Sequence, residues 1–388
     1  MKPFLFLLIS ILGLSACEKD LSSQIPVSSP VENNDGLKVG SFRDVSMDEA
    51  RIRKAAERIF HGRYGEVHSM LIYKDELLVV EEYYEGHQYL WEGPGHKGNS
   101  ITWNKNLSHC IHSVSKSITS LCIGIAIDQG FIENVNQSIF VYLPDHQQLR
   151  TDAKAKITIK HLLTMSSGLQ WSEWGIPLSS VLNDQIGIWF WEGGPVNYTL
   201  GRDLVAEPGT RFNYSGGDIQ ILVEILKNAT GMNLDEFSSK YLFEPMGITS
   251  HEWWLIFPSG EIQGASGLKL TSRDMVKVGA MMLNKGFWKG KRIVSESWVS
   301  HCTSPYPGNT GIKVPGEDSG KVGYAYTWWT YNIAHRGASI PCYFALGWGG
   351  QKIIILPDLD MVLVFTGANY LSKVHQFEII QRYILRAL

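Results

Sequence analysis

Ser113-Val114-Ser115-Lys116 sets a hydroxyl and an amine three residues apart at the head of a long apolar run. Residues at that spacing share a helix face, so the Ser113 oxygen and the Lys116 nitrogen can meet. A serine hydroxyl is a weak nucleophile at neutral pH and needs a base beside it. A lysine among apolar neighbours can lose enough basicity to serve. The chemistry of such a pair is acyl transfer through an ester on the serine. Ser-x-x-Lys recurs by chance in a chain of 388 residues, and Ser266-Gly267-Leu268-Lys269 also matches. Context separates the two. Val114, Ile118, Leu121, Cys122 and Ile125 repeat at helical spacing until Gly130 supplies a stop, whereas Ser266 runs into a Leu-Lys-Leu alternation that points Lys269 away. Without that context, Ser113 reads equally well as a helix cap with a solvated lysine.

Two further segments carry chemistry. Tyr214 precedes a glycine-rich turn, Ser215-Gly216-Gly217-Asp218, that opens a helix. A tyrosine titrates near 10 when free, and a lysine ammonium beside it favours its anion, so it can relay protons. An aromatic plug on a helical turn is the structural alternative. Near the C-terminus, Gly347-Trp348-Gly349-Gly350-Gln351 stands at a strand start. Glycine lets a ligand approach the backbone closely, and N–H groups there, with that of Ser113, could form an oxyanion hole. A bulge or hairpin turn accounts for it equally well.

The elements that must position these groups follow from periodicity. A helix is expected over 48–60, a hairpin over 70–80 around Lys74-Asp75, then the buried Ser113 helix. Further helices are expected over 157–165, 218–228 and 271–284. Strands follow over 324–329, 343–346, 352–356 and 361–366, and a closing helix over 374–388. Strands at both ends with helices between predict an α/β plus all-α architecture: a mixed sheet built from both chain ends, a helical insert over roughly 130–270, and Ser113 in the groove between them.

Bulk composition narrows the function. Net charge is −3 and charged residues are 19%, which leaves no basic field for nucleic acid. Lys2, an apolar core from Phe4 to Leu14 and the small residues after it form a targeting segment over 1–17, too short to span a bilayer. Leu14-Ser15-Ala16-Cys17 resembles the bacterial lipobox, in which the cysteine is lipidated; a plain secretory signal cleaved near Ala16 is the alternative. The polar stretch 18–45 reads as a flexible tether, and 46–388 as one domain. The expected location is therefore the bacterial cell envelope, outside the cytoplasm, with the membrane as partner through lipid on Cys17; no protein partner is inferable. Cys110, Cys122, Cys302 and Cys342 are too sparse for a disulfide scaffold or a zinc site and read as buried free thiols, with a bridge to Cys302 or Cys342 left open. No HExxH, Walker or GxGxxG motif appears, so no metal or cofactor is expected. Ser113 lacks the Gly-x-Ser-x-Gly elbow of α/β-hydrolases.

Taken in order, Ser113-x-x-Lys116, Tyr214-Ser215-Gly216 and Gly347-Trp348-Gly349, with the stretches 157–169, 207–216 and 267–274, resemble the penicillin-recognising serine hydrolase superfamily, in its class C β-lactamase-like branch. The resemblance runs from about residue 65 to the C-terminus. It implies the β-lactamase/transpeptidase-like fold, with Ser113 as acylated nucleophile, Lys116 as base partner and Tyr214 as the tyrosine that works with that lysine. It also implies Trp348 N–H as second oxyanion donor, with Gln351 N–H as the alternative register. Two departures stand out. Gly216 replaces the usual asparagine, and Ala345-Leu346-Gly347 replaces Lys-Thr-Gly or His-x-Gly, which helps bind a substrate carboxylate. Those versions look more like 6-aminohexanoate-dimer hydrolases and β-lactamase-like carboxylesterases. The expectation is a serine hydrolase of the carboxylesterase or amidase type acting on small esters or amides. A β-lactamase or D,D-peptidase, and a non-catalytic envelope binding protein, are the alternatives. Trp171, Gly216 and Gly347 are the expected pocket residues; Trp174, Trp189 and Trp191 share the overhanging segment. His112, adjacent to Ser113 on a different helical face, is expected to be structural.

Overall fold

The computed structural model describes residues 27–388. Nine strands form the main sheet: β1 (Lys38–Val39), β2 (Val67–Lys74), β3 (Leu77–Tyr83), β4 (Ile312–Lys313), β5 (Lys321–Tyr324), β6 (Trp329–His335), β7 (Ala338–Gly347), β8 (Gln351–Leu356) and β9 (Met361–Gly367). Their order is β1-β3-β2-β9-β8-β7-β6-β5-β4, so the two chain ends meet where β2 pairs antiparallel with β9. Only β1 and β3 run parallel. β8 and β9 are buried along their whole length, which is why they read as continuous apolar runs rather than as alternations.

Helix α1 (Glu49–Phe60) and the C-terminal turns pack on one face of the sheet. Helices α2 (Val114–Asp128) and α4 (Ser272–Leu283) cover the other. Gly279 sits where α4 crosses the sheet, and a Cβ there would collide with Val362. Helix α2 is buried on every side, so its hydroxyls need partners. Ser117 and Ser120 donate to the carbonyls of Thr327 and Tyr326, and Thr119 to that of Gly264. The helical insert spans 139–246. It is built mostly of short turns around α3 (Gly216–Thr230), which Ser215 caps and Gly231 ends in a left-handed conformation.

Several expectations need correction. Residues 27–45 are not a tether. Val27, Leu37 and Val45 are buried, β1 adds to the sheet, and Asp35 meets the buried Arg273 at 2.6 Å. The targeting segment with Cys17, and residues 18–26, lie outside the described residues. The strand expected over 324–329 is two strands. Ala325–Trp328 turn between β5 and β6, with Thr327 at a φ of 62°. The closing helix is reduced to Gln376–Ile379 followed by a wider turn over Ile380–Ile384. The helix expected over 157–165 forms only across Ile159–Leu163. The four described cysteines are free, three of them buried and Cys110 half-buried. Among the described residues no helix is long and apolar enough to cross a membrane.

Candidate active site

The chain reaches Ser113 from a short strand, Ser108–Cys110, paired with Leu268–Thr271. Ile111 N–H donates to the Leu268 carbonyl at 3.0 Å, and His112 then takes a φ of 46°, a left-handed conformation uncommon outside glycine. That turn delivers Ser113 to the N-cap of α2. Its side chain makes no capping bond there. The hydroxyl is instead met by Lys116 Nζ, which donates to Ser113 Oγ at 3.0 Å and to the Ala265 carbonyl at 3.1 Å. Lys116 is only 2% exposed. The second Ser-x-x-Lys forms no such pair. Lys269 turns away to Glu252 at 2.9 Å, and Ser266 Oγ donates to Gln263.

Tyr214 comes from the other side of the groove. Asn213 fixes the approach by donating N–H to the Met165 carbonyl at 2.8 Å and Nδ2 to the Trp171 carbonyl at 3.0 Å. The Tyr214 ring stands 4.8 Å from Lys116 Nζ, which places its side chain beside the Ser113–Lys116 pair. Burial raises the Tyr214 pKa above 10, the Lys116 charge opposes that rise, and Glu173 reinforces it. Trp174 stacks on the Tyr214 ring at 4.9 Å. Behind it, Asp218 is buried and accepts from Ser167 Oγ at 2.8 Å, yet desolvation pushes it up to about 8. Asp218 therefore rests as the neutral acid at pH 7.

Glu173 is the site residue that the motifs did not reveal. Its Oε2 accepts from Trp171 Nε1 at 2.9 Å and from Gly216 N–H at 2.8 Å, while Oε1 lies 3.9 Å from Lys116 Nζ. A Cβ on residue 216 would collide with Gln185 Oε1 and stand 3.3 Å from Glu173 Oε2. Gly216 is thus the counterpart of Glu173: the missing side chain makes room for a carboxylate and an amide. The only sequence signal was an acidic residue between two tryptophans, Trp171 and Trp174, beside the Ser166-Ser167-Gly168 motif.

The sheet supplies the remaining wall. At the end of β7, Gly347 lies so close to the loop before Ser113 that a Cβ would collide with the Ile111 carbonyl oxygen. Trp348 and Gly349 follow along the cleft, and Trp348 Nε1 donates to the Tyr370 carbonyl at 2.9 Å. Gln351, the alternative oxyanion residue, begins β8 opposite Gly347, and its amide holds the Trp348 and Gly367 carbonyls. His112 is buried among Tyr89, Trp348 and Tyr370. Desolvation, with the charges of His96 and Lys116, lowers its pKa to about 3, so it stays neutral where it lines the cleft beside Ser113.

The cleft over these groups encloses about 790 Å³ and is lined by Ser113, Lys116, Glu173 and Tyr214 at its floor. Of the expected pocket residues, Trp171 does not line it. It is buried with Ile188, Tyr198 and Phe257, and Trp174 forms the wall instead. Gly216 and Gly347 act behind the wall, by admitting Gln185 and Glu173 and by bringing β7 against Ile111. Trp189 lines the cleft, as does Ser266.

The beta-lactamase family profile matches residues 68–375. The chain belongs to the beta-lactamase family. It is 26% identical over 268 residues to 6-aminohexanoate-dimer hydrolase of Paenarthrobacter ureafaciens, a match spanning 66% of this chain and 65% of that protein's length. Its fold resembles a penicillin-binding protein homolog from Caulobacter crescentus (TM-score 0.66, 12% identity, 87% of this chain and 97% of that one). It also resembles a family VIII carboxylesterase (TM-score 0.63, 15% identity, 87% and 97%). Both structures support the mixed sheet with a helical insert.

Proposed function

We propose that this protein is a serine hydrolase that cleaves ester or amide bonds of small substrates through an acyl-enzyme on Ser113. The observation that carries the reading is Lys116 Nζ at 3.0 Å from a Ser113 Oγ that does no capping work. Lys116 takes the Ser113 proton as the oxygen attacks the carbonyl, and passes it on to Tyr214 as the phenol gives up its own. The oxyanion rests on the N–H groups of Ser113 and Trp348. Tyr214, whose raised pKa keeps its proton available, then protonates the leaving alcohol or amine. Water attacks the acyl-enzyme, and the proton returns to Ser113 by the reverse path.

Members of this family also act on β-lactams and cell-wall peptides, but residues 345–347 here are Ala-Leu-Gly and residue 216 is glycine. The carboxylate of such substrates would meet no cation on the edge strand, so neutral esters and amides fit better. The Paenarthrobacter relative is named as a hydrolase of the 6-aminohexanoate dimer, and the Caulobacter and carboxylesterase likenesses concern fold alone. Lipid attachment at Cys17, with the enzyme facing outward from the cell envelope, completes the proposal and rests on the targeting segment.

Turnover of p-nitrophenyl acetate by the purified protein tests the reading. The expected result is hydrolysis in the wild type and in Ser266→Ala, with loss in Ser113→Ala. Equal rates in Ser113→Ala and wild type would overturn it.

A further inference from the structure

We infer that the natural substrate carries a long, uncharged apolar chain that fills the cleft and leaves it between Phe190 and Leu371. The inference rests on the hydrolase reading above and names its substrate class. The first observation is size. A cleft of about 790 Å³ lies toward the upper end of the roughly 300–1,000 Å³ that takes a drug-sized ligand, far more than an acetyl group needs.

The second is the chemistry of the walls. Tyr89, Trp174, Trp189, Trp254, Trp348 and Tyr370 surround the opening above Ser113. Among the described residues, the charged side chains that line it are Lys116, Glu173, Glu317 and Lys373. The first two belong to the catalytic floor. Glu317 is paired at 2.6 Å with Lys352, a lysine buried under the rim. Lys373 stands exposed at the outer edge. The interior therefore offers an ionic group no free partner, and desolvating a charge there without one is costly.

The third is the mouth. Phe190 and Leu371 line the cleft yet are 72% and 78% exposed, and Trp91 beside them is 41% exposed. Trp191, Leu90 and Ile256, chain neighbours of lining residues, are exposed as well. Single apolar side chains on a surface need no explanation, but apolar side chains gathered round one opening extend its apolar lining outward. Phe190, Leu371 and Trp91 belong to the lining of the same cavity that holds the nucleophile. A chain longer than the cavity would use both.

The test uses the purified full chain with p-nitrophenyl esters from acetate to decanoate, kept below micelle formation, and with acetate esters of the corresponding alcohols. A buried methylene is worth about fourfold in transition-state binding. The expected result is a kcat/KM that rises at least about 100-fold along one of the two series. A carboxylate part-way along the chain, where it would lie inside the cleft, should abolish most of that gain. Phe190→Ser and Leu371→Ser should lower the octanoate-to-acetate ratio about fivefold, mainly through KM. A flat or falling profile in both series, with acetate turnover still dependent on Ser113, would overturn this inference and leave the hydrolase reading standing. If no ester is turned over, phosphonylation of Ser113 by decyl and methyl fluorophosphonates, each losing fluoride, decides. Faster labelling by the decyl reagent supports the chain. Equal or slower labelling overturns it, and absence of labelling removes the hydrolase reading with it.

Discussion

At the floor of the cleft, Lys116 and Tyr214 are buried, Ser113 and Glu173 are half-buried, and hydrogen bonds tie Ser113 to Lys116, Lys116 to the Ala265 carbonyl and Glu173 to the Gly216 N–H. At its mouth, Phe190, Leu371 and Trp91 stand in water with apolar surfaces uncovered. The floor draws its rigidity from many elements at once: the strand before Ser113, helix α2, the 264–268 segment, the turn before α3 and the end of β7. The mouth is made of turn and loop residues that no other described residue covers. The difference teaches how the two tasks are divided. Proton transfer needs atoms fixed to within a fraction of an ångström, which only a packed and satisfied environment provides. An apolar chain needs only area and shape, which loose aromatic side chains supply.

The division predicts large catalytic effects with little loss of stability at the floor. Ser113→Ala should lower kcat/KM by at least about 10³-fold. Its melting temperature should stay within ~2 °C of wild type, because the lost hydroxyl caps nothing; a steady-state assay with a thermal melt checks both. Lys116→Met, which keeps the volume and removes a buried charge, should cost about 10²–10⁴-fold in kcat with no fall in melting temperature. Should Lys116→Met unfold the protein, the lysine would be a structural rather than a catalytic investment.

Glu173→Ala leaves the Trp171 indole N–H and the Gly216 N–H without their acceptor, at about 1–3 kcal/mol each if both stay buried. A urea titration should show that loss together with a fall in kcat. A variant that is less active but equally stable would sharpen the comparison by making Glu173 purely electrostatic. Asp218 sharpens it through pH. Its pKa is raised to about 8 in the folded state and is near 4 unfolded. The folded state therefore holds the proton that the unfolded state has released, and stability falls as pH rises from about 4 to 8. Asp218→Asn should flatten that slope, as measured by unfolding at pH 5.0, 6.5 and 8.0. At the mouth, the effects on folding should be smallest. Phe190→Ser and Leu371→Ser should each change stability by no more than about 0.5 kcal/mol.

The floor was also the more legible part in the sequence. Ser113 and Lys116 announced themselves because helical periodicity fixes which side chains share a face, and Tyr214 because its glycine-rich turn marks a helix start. The sheet from both chain ends followed from apolar runs such as those of β8 and β9. Glu173 stayed hidden because its partners, Lys116 and the Gly216 N–H, are remote in the chain and no local pattern records them. Trp171 was preferred over Trp174 for the same reason: in a loop, no periodicity says which of two nearby tryptophans faces the cleft. Residues 27–45 misled because their Ser, Pro, Asn and Asp content resembles a linker, while their placement depends on Leu37, Val45 and the Asp35–Arg273 pair. The turn at 325–328 was read as strand because Ala325-Tyr326-Thr327-Trp328 has strand-like composition, and the left-handed Thr327 is a tertiary choice.

The central claim is that Ser113, and not the rival Ser266 that shares its cleft, carries the acyl group. Intact-mass spectrometry after treatment with a fluorophosphonate, followed by peptide mapping, measures this directly. One phosphonyl adduct per chain is expected, on the peptide bearing Ser113, and none in Ser113→Ala. An adduct on Ser266, or a folded wild-type protein that takes up no label, would contradict it.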